Sequence, residues 1–222
     1  MTHLISKALM TIGTVVVLGV GPLAARSDEA SAPKARPAAQ TASAAAKDAA
    51  TTRPLAIDKP LVGYWDFDDR AGTTCRDRSG HGRHARGADL RTGSVRRIAG
   101  VFGNALWFSG RHRIKVHDTN LFRQVTGIAI SAWVQPVELS HYREIFRKED
   151  GNNRVLFSFQ HDGTILSLGL NIDGQYLECD ATIDPQHVRD GRWHHCAATY
   201  DGRAMRVYLD GKQVGELKRP GR

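Results

Sequence analysis

Six Asp-Gly dipeptides divide the C-terminal third of the chain, at 150–151, 162–163, 173–174, 190–191, 201–202 and 210–211, in steps of 12, 11, 17, 11 and 9 residues. Asp-Gly tolerates the positive φ of tight hairpin turns, because glycine has no Cβ and aspartate bonds its own backbone. The runs between the pairs alternate. Val155, Phe157 and Phe159 alternate with Leu156, Ser158 and Gln160, and Leu166, Leu168, Leu170 and Ile172 with Ser167, Gly169 and Asn171. Met205, Val207 and Leu209 alternate with Arg206 and Tyr208, and Ile128, Ile130, Ala132 and Val134 with Ser131 and Trp133. A period of two marks strands with one buried face. No comparable 3.6-residue period follows residue 60. Short strands at this spacing predict an all-β sandwich or barrel with little helix.

The N-terminus is a different material. One lysine precedes a charge-free run from Ala8 to Ala25. Residues 1–25 therefore read as a secretory signal peptide or an uncleaved N-terminal anchor, with the cleaved signal preferred. Residues 26–60 are rich in Ala, Pro, Ser and Thr and contain no aromatic residue. Such a segment cannot repay its ordering entropy and reads as a disordered linker. Residues 61–222 remain as one domain, large enough for a core. The expected location is secreted, periplasmic or cell surface. Export permits a disulfide. Three cysteines leave one unpaired, and Cys179 with Cys196 is the preferred bridge; three free thiols are the alternative.

Five segments carry a family resemblance: LVGYWDFDD from residue 61, DRSGHGRHARG at 77–87, GVFGNALWFSG at 100–110, GIAISAWVQP at 127–136, and GRWHHCAATYDGRAMRVYLDGKQVG. In this order they resemble the laminin-G-like jelly-roll family of the concanavalin A-like lectin/glucanase superfamily. The resemblance implies a two-sheet antiparallel β-sandwich of jelly-roll type. The family usually continues past the last hairpin with another strand or two, whereas this chain stops at Arg222. The expectation is a sheet short of a closing strand, whose open edge invites self-association.

The superfamily includes glycosidases, which need two carboxylates flanking the scissile bond. Its glucanases carry them on one strand as E-x-D-x-E or E-x-D-x-x-E. Glu178 and Asp180 supply the first two, but Thr182 and Ile183 stand where the third would be. The chain is therefore read as no enzyme. The resemblance also implies a structural calcium, with Asp66, Asp68 and Asp77 as ligands. His81, His84, His194 and His195 are read as structural, since adjacent strand residues face opposite sides.

Binding remains. A sugar site needs aromatic plates with polar partners. Tyr142, Tyr176, Tyr200 and Tyr208 are the candidates, and Trp65, Trp107, Trp133 and Trp193 are read mostly as core. Seven arginines between Arg76 and Arg97 could attract an acidic polysaccharide, although a solvated loop is the plainer reading. The expected partner is a polysaccharide or a cell-surface glycan or protein, and export makes nucleic acid an unsuitable one. An assembly module pairing through its open edge is the second reading, and a degenerate glycoside hydrolase the third.

Overall fold

The computed structural model describes residues 3–5, 10–20, 61–87, 89–109, 112–117, 126–149 and 154–221. Its strands are β1 (His3–Ile5), β2 (Met10–Val20), β3 (Leu61–Trp65), β4 (Thr74–Cys75), β5 (Ala85–Arg86), β6 (Val95–Ala99), β7 (Asn104–Phe108), β8 (Ile114–Val116), β9 (Gly127–Pro136), β10 (Arg143–Lys148), β11 (Val155–Gln160), β12 (Ile165–Ile172), β13 (Gln175–Thr182), β14 (His194–Tyr200), β15 (Ala204–Leu209) and β16 (Lys212–Lys218). Two single-turn helices, α1 (Asp89–Thr92) and α2 (Pro185–Val188), lie between them. Sheet I runs β13-β12-β11-β10-β1-β8-β5-β4. Sheet II runs β16-β15-β14-β9-β2-β7-β6, with β3 also paired to β2. The fold is an all-β, antiparallel two-sheet sandwich.

The Asp-Gly pairs do several jobs. Asp173 and Gly174 have φ of 50° and 77°, and Asp210 and Gly211 the same two values. Two successive positive φ values make two-residue hairpin turns whose twist matches the strands. They close β12–β13 at Ile172↔Gln175 and β15–β16 at Leu209↔Lys212. At 201–202 the aspartate side chain shapes the turn instead, accepting from the Arg203 and Ala204 amides at 2.8 Å.

Between the sheets lies one apolar core. Phe157, Phe159, Leu166, Leu168 and Leu170 of sheet I meet Ile130, Val134, Cys196, Ala198, Met205 and Val207 of sheet II. Each fully buried large side chain contributes about 1.5–3 kcal/mol relative to exposure.

Strand β2 comes from the charge-free N-terminal run. It pairs with β9 from Met10↔Pro136 to Val20↔Gly127, with β3 from Val15↔Trp65 and with β7 from Met10↔Phe108. Residues 10–20 therefore lie within sheet II, between β9 and β7. The linker at 26–60 and the ends of the 8–25 run lie outside the described residues. Among the described residues, no helix is long and apolar enough to cross a membrane.

Two expectations are corrected. Cys75, Cys179 and Cys196 are all free and buried. Cys179 sits on β13 at the border of sheet I, with its thiol donating to Met205 O of β15 at 3.7 Å, while Cys196 lies one strand further inside sheet II on β14. Facing sheets stand about 10 Å apart, so this lateral offset defeats a bridge. Burial pushes the Cys75 thiol up to about 12 and the Cys179 thiol up to about 11. Of the tryptophans, only Trp65 is core; Trp107, Trp133 and Trp193 are half-buried.

Candidate functional site

The outward face of sheet I carries a cleft of about 840 Å³. Register builds it. Arg147, Leu156, Gly169 and Glu178 form one row across β10–β13, and Glu144, Ser158, Ser167 and Asp180 form the next. The floor is polar and buried: Ser158 and Ser167 have no exposed surface and Gln160 has 3%. Ser167 Oγ donates to Asp180 Oδ1 at 2.6 Å, and Gln160 Nε2 donates to Glu178 Oε1 at 3.4 Å.

Gly169 is the small residue in the first row, and its size matters. A Cβ there would run into Tyr176 Oη, so the tyrosine ring lies across the sheet where β12 has no side chain. The Tyr176 hydroxyl donates to Glu178 Oε1 at 2.7 Å, and the Arg154 guanidinium stacks 4.4 Å from the ring centre. Burial and the neighbouring Glu178 carboxylate push the tyrosine hydroxyl well above its ordinary range.

Four arginines, Arg113, Arg143, Arg147 and Arg154, line the cleft against two glutamates, Glu144 and Glu178. Arg147 pairs with Glu144 Oε1 at 2.6 Å and also with Glu149. The Glu144 side chain is only 7% exposed, yet its Oε2 has no hydrogen-bond partner among the described residues. Asn171 Oδ1 and the Nε atoms of Arg113, Arg143 and Arg147 are also buried without a hydrogen bond among the described residues, whereas Arg154 Nε faces Glu149 Oε1 at 3.5 Å. Buried polar atoms left without partners cost about 1–3 kcal/mol each, and a ligand or water that satisfies them is favoured.

At the lip of the cleft, Tyr142 is 53% exposed and its ring lies 6.0 Å from that of His161. His141, His161 and Asp162 all take positive φ, at 57°, 47° and 58°. The His141 amide donates to Asp162 Oδ1 at 2.5 Å, holding the two loops together. Strained non-glycine backbone concentrates where a loop is shaped for a task.

Of the four tyrosines singled out from the sequence, the structure brings Tyr142 and Tyr176 to this one cleft. The other two lie elsewhere. Tyr200 is buried at 6% exposure and donates to Arg219 O and Gly221 O at 3.0 and 2.8 Å, so it anchors the last residues and offers no ligand surface. Tyr208 stands on the outward face of sheet II, opposite Ala197.

The aspartates proposed for calcium are committed to protein donors. Asp77 accepts from the Tyr64, Ser79 and Arg83 amides and from Ser79 Oγ, at 2.7–3.0 Å. Burial alone would raise its carboxyl, but these four bonds outweigh that and lower it. Asp66 faces Arg78 at 3.1 Å, and Asp68 accepts from the Asn104 amide at 2.6 Å. Four donors and a guanidinium leave no hard-oxygen cage, so this set does not fit calcium. His84 Nδ1 accepts from the Asp77 amide at 3.1 Å and is structural. The arginine-rich loop is likewise largely self-engaged: Arg83 donates to Val62 O, Arg97 to Gly72 O and Thr74 O, and Arg96 stacks on Trp107.

A second polar cluster went unread in the sequence. His187 of α2, His194 of β14 and Asp210 of the β15–β16 turn converge, with Asp190 behind them. His194 and its neighbour His195 face opposite sides of β14, and the residues His194 meets lie 7 and 16 positions away. Sequence spacing offered no signal for that meeting.

The described residues form a two-layer antiparallel β-sandwich with a polar cleft on one outward face. The profile of Laminin_G_3, described as Concanavalin A-like lectin/glucanases superfamily, matches residues 108–222, and the chain belongs to that family. The matched span holds β8 to β16 and every residue lining the cleft; the motifs at 61–69 and 77–87 and most of that at 100–110 lie before it. Laminin-G-type domains are generally non-catalytic binding modules. No curated protein and no solved structure matches the chain.

Proposed function

We propose that the protein is an exported, non-catalytic binding module that holds an acidic carbohydrate in the cleft on sheet I. One observation carries the reading: a cleft of about 840 Å³ combining four arginines with Tyr142 and Tyr176 over a buried polar floor, with Glu144 Oε2 buried in its wall and without a hydrogen bond among the described residues. Aromatic faces pack on sugar C–H surface, while guanidinium forks pair with carboxylate or sulfate groups. Catalysis is disfavoured by the placement of the acids. Glu144 and Asp180 share a row but stand three strands apart, about 14 Å at normal strand spacing. Glycosidase pairs need about 5–9.5 Å. Glu178 and Asp180 are closer, but both are hydrogen-bonded to neighbours, and Thr182 holds the third position.

A glycan array probed with the full chain tests this. Saturable binding to uronate- or sulfate-bearing glycans, lost in Arg154→Ala and Tyr176→Phe/Arg154→Ala chains that still fold, is the expected result. Binding that is indifferent to these substitutions sinks it, as does silence across the array.

Strand β2 favours a second reading, an assembly module. If residues 8–25 leave as an export signal, β9 and β7 lose their shared neighbour. The exposed ladders then accept a strand from another chain. Mass spectrometry of the exported protein, with its oligomeric state by light scattering, distinguishes the two: a cleaved, stable monomer ends this reading.

A further inference from the structure

We propose that His187, His194 and Asp210 form a site for a divalent transition metal, of which Zn²⁺ is the best match. His187 Nε2 and His194 Nδ1 each lie 2.9 Å from Asp210 Oδ2. The three donor atoms all fall within 4.8 Å of one another. A tetrahedral zinc holds its ligands at 2.0–2.2 Å and so spaces them by roughly 3.4 Å. Asp210 Oδ2 is common to both 2.9 Å contacts, so a small rotation of its carboxylate, 34% exposed, together with a turn of His187, 48% exposed, opens them to that spacing. Two of the three donors are imidazole nitrogens, which suit zinc and its neighbours and do not suit calcium.

The surroundings are built as metal sites require. His194 is 4% exposed, and its other ring nitrogen, Nε2, faces Asp190 Oδ1 at 3.1 Å. A carboxylate behind a ligating histidine fixes its tautomer and orientation. Asp190 is itself fixed, accepting from Arg192 N at 2.8 Å and Arg192 Nε at 2.7 Å. Asp210 Oδ1 takes the His195 amide at 2.9 Å, which leaves Oδ2 aimed at the two rings. Upstream, Asp184 accepts from the Gln186 amide at 2.8 Å and Pro185 opens α2, so His187 is delivered from a capped turn. The fourth coordination position opens on solvent between His187 and Asp210, at 48% and 34% side-chain exposure. A cation here ties α2, β14 and the β15–β16 turn together.

The test is Co²⁺ titration of the full chain by visible absorption, with Zn²⁺ competition. The expected result is one ion per chain with a tetrahedral-type spectrum, displaced by Zn²⁺. His187→Ala should weaken binding by more than roughly tenfold, and Asp190→Asn by about 10–100-fold through the orientation of His194. His187 is exposed, so its removal leaves the fold intact, which circular dichroism checks. His117→Ala, at another exposed histidine, should bind like the unaltered chain. The proposal is overturned if His187→Ala binds as tightly as the unaltered chain, or if no stoichiometric binding is seen.

Discussion

The two sheets share one core, yet their outward faces were finished differently. On sheet I the outward residues of β11 are Leu156, Ser158 and Gln160, and all are buried, because arginines and Tyr176 rise around them. On sheet II the outward face stays shallow. Trp133 packs 5.2 Å from His195 and 6.4 Å from Phe102, which is 64% exposed, and Ser131 Oγ bonds His195 Nε2 at 2.9 Å. Burial keeps the His195 imidazole below its ordinary range, with Asp210 opposing. The difference is one of relief. A missing side chain at Gly169 and long cationic walls make a recess, whereas Trp133, His195 and Phe102 pack edge and tilted against one another as a cover. The recess offers a ligand buried polar atoms that lack hydrogen bonds; on the other face Ser131 and His195 already bond each other.

Four outcomes break or sharpen that contrast. The largest effect belongs to what the faces share. Phe157→Ala, directly under the cleft floor, should cost about 3–5 kcal/mol in denaturant unfolding and abolish any cleft function with it. Next is the charge pair of sheet I. Arg147→Ala strands Glu144 in a buried position, and a loss of about 3 kcal/mol is expected, against a much smaller one for Arg206→Ala on the exposed face of sheet II. Equal losses would erase the contrast. Gly169→Ala comes third: it should displace Tyr176 and reduce glycan binding at least roughly tenfold, with about 1–3 kcal/mol of strain. Trp133→Ala should leave that binding unchanged.

The smallest effect is on pH dependence. Arg206 holds Asp201 down to about 2 from 3.8, and Asp77 is lowered too. A depressed carboxyl stabilises the fold above its unfolded value, and this stabilisation is lost as pH falls through the folded value. Acid titration should therefore show stability declining between about pH 4 and pH 2. Asp77→Asn should remove part of that slope, because an amide does not titrate in this range.

The alternation in β9, β11, β12 and β15 and the hairpins at 173–174 and 210–211 were legible residue by residue. Both depend on local rules: a period of two and the positive φ that glycine and aspartate allow. The family resemblance was legible for the same reason, since its motifs are mostly turns and strand ends. The candidate sites were legible only in fragments. Tyr142 and Tyr176 could be named as aromatic candidates, but nothing local placed them together or removed Tyr200. The aspartates at 66, 68 and 77 looked like cation ligands until their backbone donors came into view.

What the chain's letters determined alone is the class of fold, because burying every second residue needs a facing layer whatever that layer is. Tertiary structure decided which thiols stay apart, which tyrosines share a recess, and that His187, His194 and Asp210 converge. Those outcomes depend on register and on the stacking of sheets. A shift of one residue in pairing would send each side chain to the opposite face without changing any local preference.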